Sequence, residues 1–185
     1  MATRLSTDDI VSADCAQAAV GPLKHHRLTI LAAGLADVVG LAGGWLFDRA
    51  RAGWDVNVRV EGCRDVRPLV ILGASAVEGP AETVLRDVAC DGALAVSTRL
   101  LRADSRVRAH VYDLAKGGGA EVMAWGEDWP VELGGRIDAV EHRLSVAARA
   151  FKAQALIAAK SDRAVSATET LFDLATESIR PLYPV

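Results

Sequence analysis

A short apolar run that passes directly into a helical pattern most constrains the fold of this 185-residue chain. The run covers residues 27–33 (RLTILAA) and is rich in strand formers, which is typical of a buried strand. From Leu35 onwards apolar side chains recur at helical spacing, and Gly53 supplies a stop signal. A buried strand followed at once by a helix is the repeating unit of α/β sheets. The sequence therefore predicts an α/β fold.

Three later segments also read as strands. Residues 54–61 alternate strictly between apolar and polar, which predicts a strand with one wet face at a sheet edge. Residues 68–73 are continuously apolar and predict a central strand, and residues 120–125 predict a further short one. The connection 62–67 is too short for a full crossover helix, so a hairpin and a compressed crossover both remain open.

The segments between and after these strands have helical spacing. The predicted helices cover residues 81–89, a longer stretch from Asp91 to Gly117, residues 137–160, and a last helix opened by Ser166 and stopped by Pro181. We therefore expect a small, mostly parallel sheet of about four strands flanked by helices, with a helical C-terminal third.

The domain organisation follows from length and composition. Hydrophobic residues make up 51% of the chain, which is enough to bury the core of one domain. Residues 1–23 hold small and acidic residues and end at Gly21-Pro22, which predicts a flexible N-terminal arm. Residues 24–185 are expected to form a single α/β domain.

Charge and cysteine usage limit the environment and the partners. A net charge of −3 provides no overall basic field, so nucleic acid is an unfavourable partner. Cys15, Cys63 and Cys90 form no CxxC pair, so we expect reduced thiols in the cytoplasm and no metal site. No apolar run reaches the length of a membrane span, so no membrane association is expected.

The carboxyl ends of the predicted strands are the default place for a ligand in an α/β sheet. Gly34 and Asp37 follow the first strand, where a glycine-rich helix start can bring backbone amides close to a phosphate. Ser75 and Glu78 follow the strand at 68–73, and Ser75 can hydrogen-bond a ligand there or act as a nucleophile if a base lies nearby. Neither segment matches a GxGxxG, P-loop or GxSxG motif.

A pair of acids follows the last predicted strand. Glu127 and Asp128 lie between Trp125 and Trp129, and two carboxylates with aromatic walls can bind a metal, or act as acid and base if they are buried. The six candidate ligand-binding residues are therefore Gly34, Asp37, Ser75, Glu78, Glu127 and Asp128. Catalytic residues and a cofactor are not identified by any motif.

Residues 85–101 carry a local resemblance. The segment LRDVACDGALAVSTRLL resembles the helix-turn-helix of lactose-repressor-type regulators, in which a first helix, a turn glycine and a Ser/Thr/Arg-rich recognition helix follow one another. The resemblance implies that Ser97, Thr98, Arg99 and Arg102 would face DNA.

Three functional hypotheses follow from these patterns. The first is a non-catalytic regulatory or protein-interaction module that forms a homodimer through the helix at 137–160, since no coherent catalytic set is visible. The second is a nucleotide- or phosphate-type small-molecule binding protein or enzyme that uses the strand ends. The third is a DNA-binding regulator that uses the segment 85–101. Whether the protein is an enzyme is left open by the sequence.

Overall fold

A computed structural model describes residues 26–88, 92–133, 137 and 139–174. The predicted arm at 1–23 lies outside the described residues. The strands are β1 (Arg27–Ala32), β2 (Asp55–Val60), β3 (Ser75–Ala76), β4 (Ala93–Ser97), β5 (Glu121–Trp125), β6 (Ala139–Arg143) and β7 (Thr168–Asp173). The helices are α1 (Leu35–Arg51), α2 (Arg67–Ile71), α3 (Ala81–Arg86), α4 (Thr98–Ala103), α5 (Ser105–Gly117) and α6 (Val146–Ala158).

The described strands form one seven-stranded mixed sheet in the order β3-β2-β1-β4-β5-β7-β6. The five strands from β3 to β5 are parallel, whereas β7 runs antiparallel to β5 and β6 runs antiparallel to β7. The prediction of an α/β fold is confirmed, but the prediction of about four mostly parallel strands is wrong. The antiparallel pair β6 and β7 comes from the C-terminal third, where only helices were expected.

Helices cover both faces of the sheet because its central strands are apolar on both sides. In β4, Ala93 and Ala95 join the core beneath α1, α2 and α6. Leu94 and Val96 point to the opposite face and join the core beneath α3, α4 and α5. The sheet is therefore the middle layer of three. Loops meet at the two ends of the strands, and the end at which the parallel strands finish is the carboxyl edge of the sheet.

Several predicted elements are confirmed with small changes at their ends. The strands expected at 27–33, 54–61 and 120–125 are β1, β2 and β5, and the helix expected at 81–89 is α3. The strand β2 is not at the sheet edge, because the two-residue strand β3 pairs with its outer side. In the described ranges, no helix is long and apolar enough to cross a lipid bilayer.

The central strand expected at 68–73 is instead the short helix α2. Pro68 lies at its start, where a fixed φ and a missing N–H favour a first helical turn over a sheet interior. Leu69 and Leu72 are buried, which explains why the segment is apolar. The connection 62–67 therefore leads into a compressed crossover to β3 and not into a hairpin.

The single helix expected from Asp91 to Gly117 is three elements. The fully buried strand β4 comes first, and Ser97 then caps α4 by accepting a hydrogen bond from the Leu100 N–H at 3.1 Å. Asp104 caps α5 in the same way through the N–H groups of Arg106 and Val107. The helix-turn-helix interpretation of 85–101 is wrong, because its middle is a buried central strand.

The helices expected at 137–160 and from Ser166 are also shorter or absent. Residues 139–143 form β6, the helix α6 begins only after Ser145, and residues 168–173 form β7. The helical spacing predicts a buried face through Ala147, Phe151 and Ala155, with Lys152 pointing outwards. In α6 this face is shifted by one position, so that Lys152 is buried and Phe151 is exposed. The part of the last predicted helix beyond residue 174 lies outside the described residues.

Candidate functional site

A cleft of about 400 Å³ lies at the carboxyl edge of the parallel strands. The strand order reverses between β1 and β4, and in open α/β sheets ligands bind outside the carboxyl ends of strands at such a switch point. The cleft is lined by Asp37, Leu41, Thr98, Arg99, Arg102, Gly126, Glu127, Asp128, Pro130 and Arg163. Its position alone marks it as the leading ligand site of the described residues.

Each wall of the cleft follows directly from a strand. Asp37 lies in the first turn of α1 just after β1, and Arg99 lies in the first turn of α4 just after β4. Gly126 follows β5, and a Cβ placed there would lie 3.1 Å from the Cβ of Thr98. The missing side chain at Gly126 therefore lets the ends of β4 and β5 approach each other and sets the floor of the cleft.

The charges in the cleft are balanced but unevenly paired. The Arg163 Nη2 donates to Glu127 Oε1 at 2.7 Å, and Arg102 Nη2 lies 3.6 Å from Glu132 Oε1. Within the described part of the chain the Arg99 guanidinium forms no ion pair. Guanidinium groups bind carboxylates and phosphates through paired N–H donors, so the cleft is suited to a ligand that carries an anionic group.

A second pocket of about 190 Å³ adjoins this cleft. The two share Leu41, Gly126, Glu127 and Arg163, so they meet at the Arg163–Glu127 ion pair. We call this second pocket the inner pocket. Its remaining lining is formed by Gly40, Ala164, Ser166, Thr168, Glu169 and Thr170. Three of these residues carry hydroxyl groups, which can donate and accept hydrogen bonds.

A buried ion pair stabilises one wall of the inner pocket. Lys152 Nζ on α6 donates to Glu169 Oε1 on β7 at 2.6 Å, and both side chains are about 1% exposed. The same carboxylate accepts the backbone N–H groups of Gly44 at 2.9 Å and Trp45 at 2.7 Å. Glu169 thus links β7, α6 and the middle of α1.

The glycines of α1 make this arrangement sterically possible. A Cβ on Gly44 would lie 2.5 Å from Leu144 Cδ2, and a Cβ on Gly40 would lie 2.7 Å from Arg163 Cδ. Gly44 therefore admits a buried leucine, whereas Gly40 admits the arginine that crosses the cleft. The glycine-rich pattern after the first strand serves close packing, and Gly34 itself is the extended residue preceding α1 and does not line the cleft.

The structure brings together only half of the predicted site residues. Asp37 lines the same cleft as Glu127 and Asp128, although it lies far from them in the sequence. Glu127 and Asp128 are exposed, so the burial expected of this acid pair is not observed. Ser75 is exposed on the short outer strand β3, and Glu78 lines a separate pocket of about 240 Å³ beside β2. The candidate set is therefore divided among distant places.

Sequence reasoning missed the basic side of the cleft and the pair beneath it. The sequence indicates Arg99 and Arg102 only as DNA contacts through the helix-turn-helix resemblance, and the segment around Arg163 carries no motif. Lys152 was expected to point outwards, yet it is spaced four residues after Ala148 and three before Ala155, which are both buried. That spacing is the signal that could have placed Lys152 in the core.

A further polar cluster lies at the other end of α1, outside the cleft. Asp48 Oδ2 lies 3.0 Å from His142 Nε2 and accepts the Ser145 N–H at 3.2 Å. Partial burial raises the pKa of Asp48, but the hydrogen bonds from Ser145 and His142 outweigh it, so this pKa lies below its usual range. The cluster therefore favours a charged Asp48 that joins α1 to the start of α6.

The described residues offer no evident metal centre. No three His, Cys, Asp or Glu side chains among them come together in a way that could hold a metal ion. The cleft has carboxylates on two sides, but Arg163 already pairs with Glu127.

Comparison with known proteins shows a shared fold with a group of enzymes. A scan against models of protein families found no match, and a search of curated proteins found none either. Among solved structures, the chain is similar to an A40926 pseudoaglycone deacetylase and to deacetylases of the teicoplanin biosynthetic pathway.

One of these is the A40926 pseudoaglycone deacetylase Dbv21, at a TM-score of 0.57 and 14% identity over 81% of this chain and 97% of that one. A triple mutant of the deacetylase Orf2 from the teicoplanin biosynthetic pathway has a TM-score of 0.57 and 14% identity, over 80% of this chain and 97% of that one. The zinc-inhibited form of teicoplanin deacetylase Orf2 has a TM-score of 0.54 and 13% identity, over 79% of this chain and 97% of that one. At such identities the likeness shows the fold alone. The prediction of a non-catalytic regulatory or interaction module is contradicted, because these solved structures that share the fold are deacetylases.

Proposed function

We propose that this protein is an enzyme that acts on a polar small molecule bound in the cleft at the switch point between β1 and β4. The observation that carries the proposal is that Asp37, Glu127 and Asp128 share this cleft with Arg99 and other arginines. Arginines can hold an anionic group, while carboxylates can transfer protons. Neither the arginines nor the carboxylates alone could both hold an anionic group and transfer protons.

Amide hydrolysis is the reaction that we propose first. The fold neighbours are named as deacetylases, and removal of an acyl group from nitrogen requires two proton transfers. A base takes a proton from the attacking water as the C–O bond forms, and the nitrogen gains a proton as the C–N bond breaks. We assign these transfers to Asp37 and Asp128, which form no ion pair within the described ranges. The products are a carboxylic acid and an amine.

The test is a turnover assay with a panel of N-acetylated amino acids, amino sugars and amino sugar phosphates. Released acetate is measured for the wild type, Asp37→Asn, Asp128→Asn and the control Asp113→Asn. Asp113 is an exposed aspartate on α5 and does not line the cleft. Loss of a general acid or base lowers kcat by about 10²- to 10⁴-fold.

The expected result is acetate release from at least one anionic compound, lost in both cleft variants and retained in Asp113→Asn. Turnover that survives both cleft variants would contradict the assignment. No turnover of any compound, together with no binding of any, would contradict the proposed function as a whole.

We further propose that the protein acts in the cytoplasm and forms a homodimer. The support for the dimer is the set of apolar side chains that α6 leaves exposed: Val146, Phe151 and Ile157. Light scattering on the purified 19.5 kDa chain should give twice the monomer mass, and Ile157→Glu should restore the monomer mass. A wild type that is monomeric at micromolar concentration would refute the dimer.

A further inference from the structure

Arg163 is the residue at which the two parts of the candidate site meet. It lines both the cleft and the inner pocket, and its ion pair with Glu127 lies between them. The residue belongs to the loop that enters β7, and β7 runs antiparallel to β5. The loop is therefore delivered to the same sheet edge as the carboxyl ends of the parallel strands.

The position of the Arg163 side chain depends on the surface of α1. A Cβ on Gly40 would lie 2.7 Å from Arg163 Cδ and 3.0 Å from Arg163 Nε. The arginine stem thus lies directly on the bare backbone of Gly40, in a place that any larger residue would take. This packing lets the arginine side chain lie across α1 towards the cleft, where its guanidinium meets Glu127.

Glu127 is a weak partner for this guanidinium. Its side chain is 68% exposed and that of Arg163 is 42% exposed, and ion pairs with such exposure add little to stability. A single hydrogen bond joins them, although a guanidinium carries five N–H donors and can hold an oxyanion with two of them. Another anion can therefore replace Glu127 at small cost.

The inner pocket indicates what accompanies that anion. Ser166, Thr168 and Thr170 line the pocket beside Glu169. The Thr170 hydroxyl donates to Glu141 Oε1 and the Ser166 hydroxyl donates to the Thr168 carbonyl, so these oxygens remain available mainly as hydrogen-bond acceptors. The charge of Glu169 is already compensated by Lys152 and by two backbone N–H groups. The pocket is thus suited to an uncharged polar group, such as hydroxyls or an amide, next to the anionic group.

We infer that Arg163 binds the oxyanion of the ligand, a carboxylate or a phosphate, and that Glu127 occupies Arg163 until the ligand replaces it. This inference rests on the proposed function, because it assigns the substrate class of the same cleft. It makes Glu127 an internal competitor and Arg163 a specificity-determining residue. A substrate without an oxyanion does not replace Glu127, so the Arg163–Glu127 ion pair stays intact between the cleft and the inner pocket.

The experiment measures the dissociation constants of inorganic phosphate and of acetate by calorimetry, with ionic strength held constant by sodium chloride. The variants are Glu127→Gln and Arg163→Gln. The matched controls are Glu121→Gln, which opens an exposed ion pair with Arg49 elsewhere, and Arg106→Gln, which removes an exposed arginine paired with Glu82. The preference between the two anions distinguishes a phosphate ligand from a carboxylate ligand.

Removal of the competitor should tighten anion binding about 1.5- to 5-fold in Glu127→Gln, which corresponds to the range measured for exposed ion pairs. Arg163→Gln should weaken binding by about ten-fold or more. The two controls should bind as the wild type does. Folded state is checked for each variant by circular dichroism and urea unfolding.

The inference is overturned if Glu127→Gln and Glu121→Gln bind anions alike, or if Arg163→Gln binds as the wild type does. Its failure is separable from failure of the proposed function. If the inference fails alone, Asp37→Asn and Asp128→Asn still abolish turnover while the Arg163 and Glu127 variants behave as controls. If the proposed function fails alone, anion binding follows the expected order and no compound is hydrolysed.

Discussion

Replacement of the buried lysine beneath the inner pocket should destabilise the whole fold. Lys152→Met leaves the Glu169 carboxylate with the N–H groups of Gly44 and Trp45 but without its opposite charge. Both side chains of the pair are about 1% exposed, so water cannot replace the lost ammonium group. Removal of one partner from such a pair costs about 3–5 kcal/mol of unfolding free energy.

The magnitude can be measured in two ways. For a chain of this length 1 kcal/mol corresponds to a Tm shift of about 2–4 °C, so Lys152→Met should lower Tm by about 6–20 °C. Urea unfolding gives the free energy directly from the midpoint and slope. Lys116→Met is the matched control, because Lys116 is an exposed lysine in the last turn of α5 and should change stability by less than about 0.5 kcal/mol.

A second substitution distinguishes the ion pair from simple packing. Lys152→Met combined with Glu169→Gln contains no unpaired charge, so the double variant should be more stable than the sum of the two single changes indicates. A coupling of about 0.5–3 kcal/mol is expected for residues in one hydrogen-bonded network. The reasoning is refuted if Lys152→Met lies within about 1 kcal/mol of the wild type, or if the two changes are additive.

Three further outcomes follow from the structure. Gly44→Ala should lower the unfolding free energy by about 1–3 kcal/mol, because its Cβ would collide with the buried side chain of Leu144; an unchanged urea midpoint would count against it. Gly40→Ala should keep or raise stability, by up to about 1 kcal/mol, since it meets only a flexible side chain in a helix interior. The same variant should weaken phosphate binding, which titration calorimetry reports. Asp48→Asn should be less stable than the wild type at pH 7, and the difference should shrink as the pH falls below about 4 through the lowered native pKa of Asp48. Urea unfolding across this pH range checks the sign, and a difference that does not depend on pH contradicts it.

The fold class was predictable because the sequence patterns of some segments fit only one type of secondary structure. The run at 27–33 is too short for a helix and is bounded by Gly34, and the strict alternation at 54–61 fits no helical face. Both became central strands. Where a strand and a helix follow each other without a break, the spacing misled: Val96 and Leu100 are four residues apart, but Val96 ends a strand and Leu100 begins a helix.

The second half of the sheet was missed for a different physical reason. Strands β6 and β7 mix polar and apolar residues without a regular alternation, and they acquire their pairing partners only in three dimensions. In β7, Glu169 is buried only because Lys152 and the backbone of Gly44 lie opposite it. Such compensation between distant residues leaves no periodic signal in a single sequence.

The candidate site was predictable from one general rule and no further. The rule that ligands bind at the carboxyl ends of parallel strands pointed to Asp37 and to Glu127, and the structure places both in one cleft. The same rule pointed to Ser75, which lies elsewhere because the strand expected before it is a helix. Arg163 follows no parallel strand, and only the antiparallel return of β7 brings it to this edge.

The most direct test of the central claim, that a polar small molecule is bound in the switch-point cleft, is native mass spectrometry of protein gently purified from its own source. The account predicts an extra mass of a small anionic compound on the wild type and on Glu78→Gln, whose side chain lines a different pocket. The extra mass should be absent from Arg163→Gln and reduced on Asp37→Asn. An extra mass that persists in both cleft variants and disappears from Glu78→Gln would contradict the account.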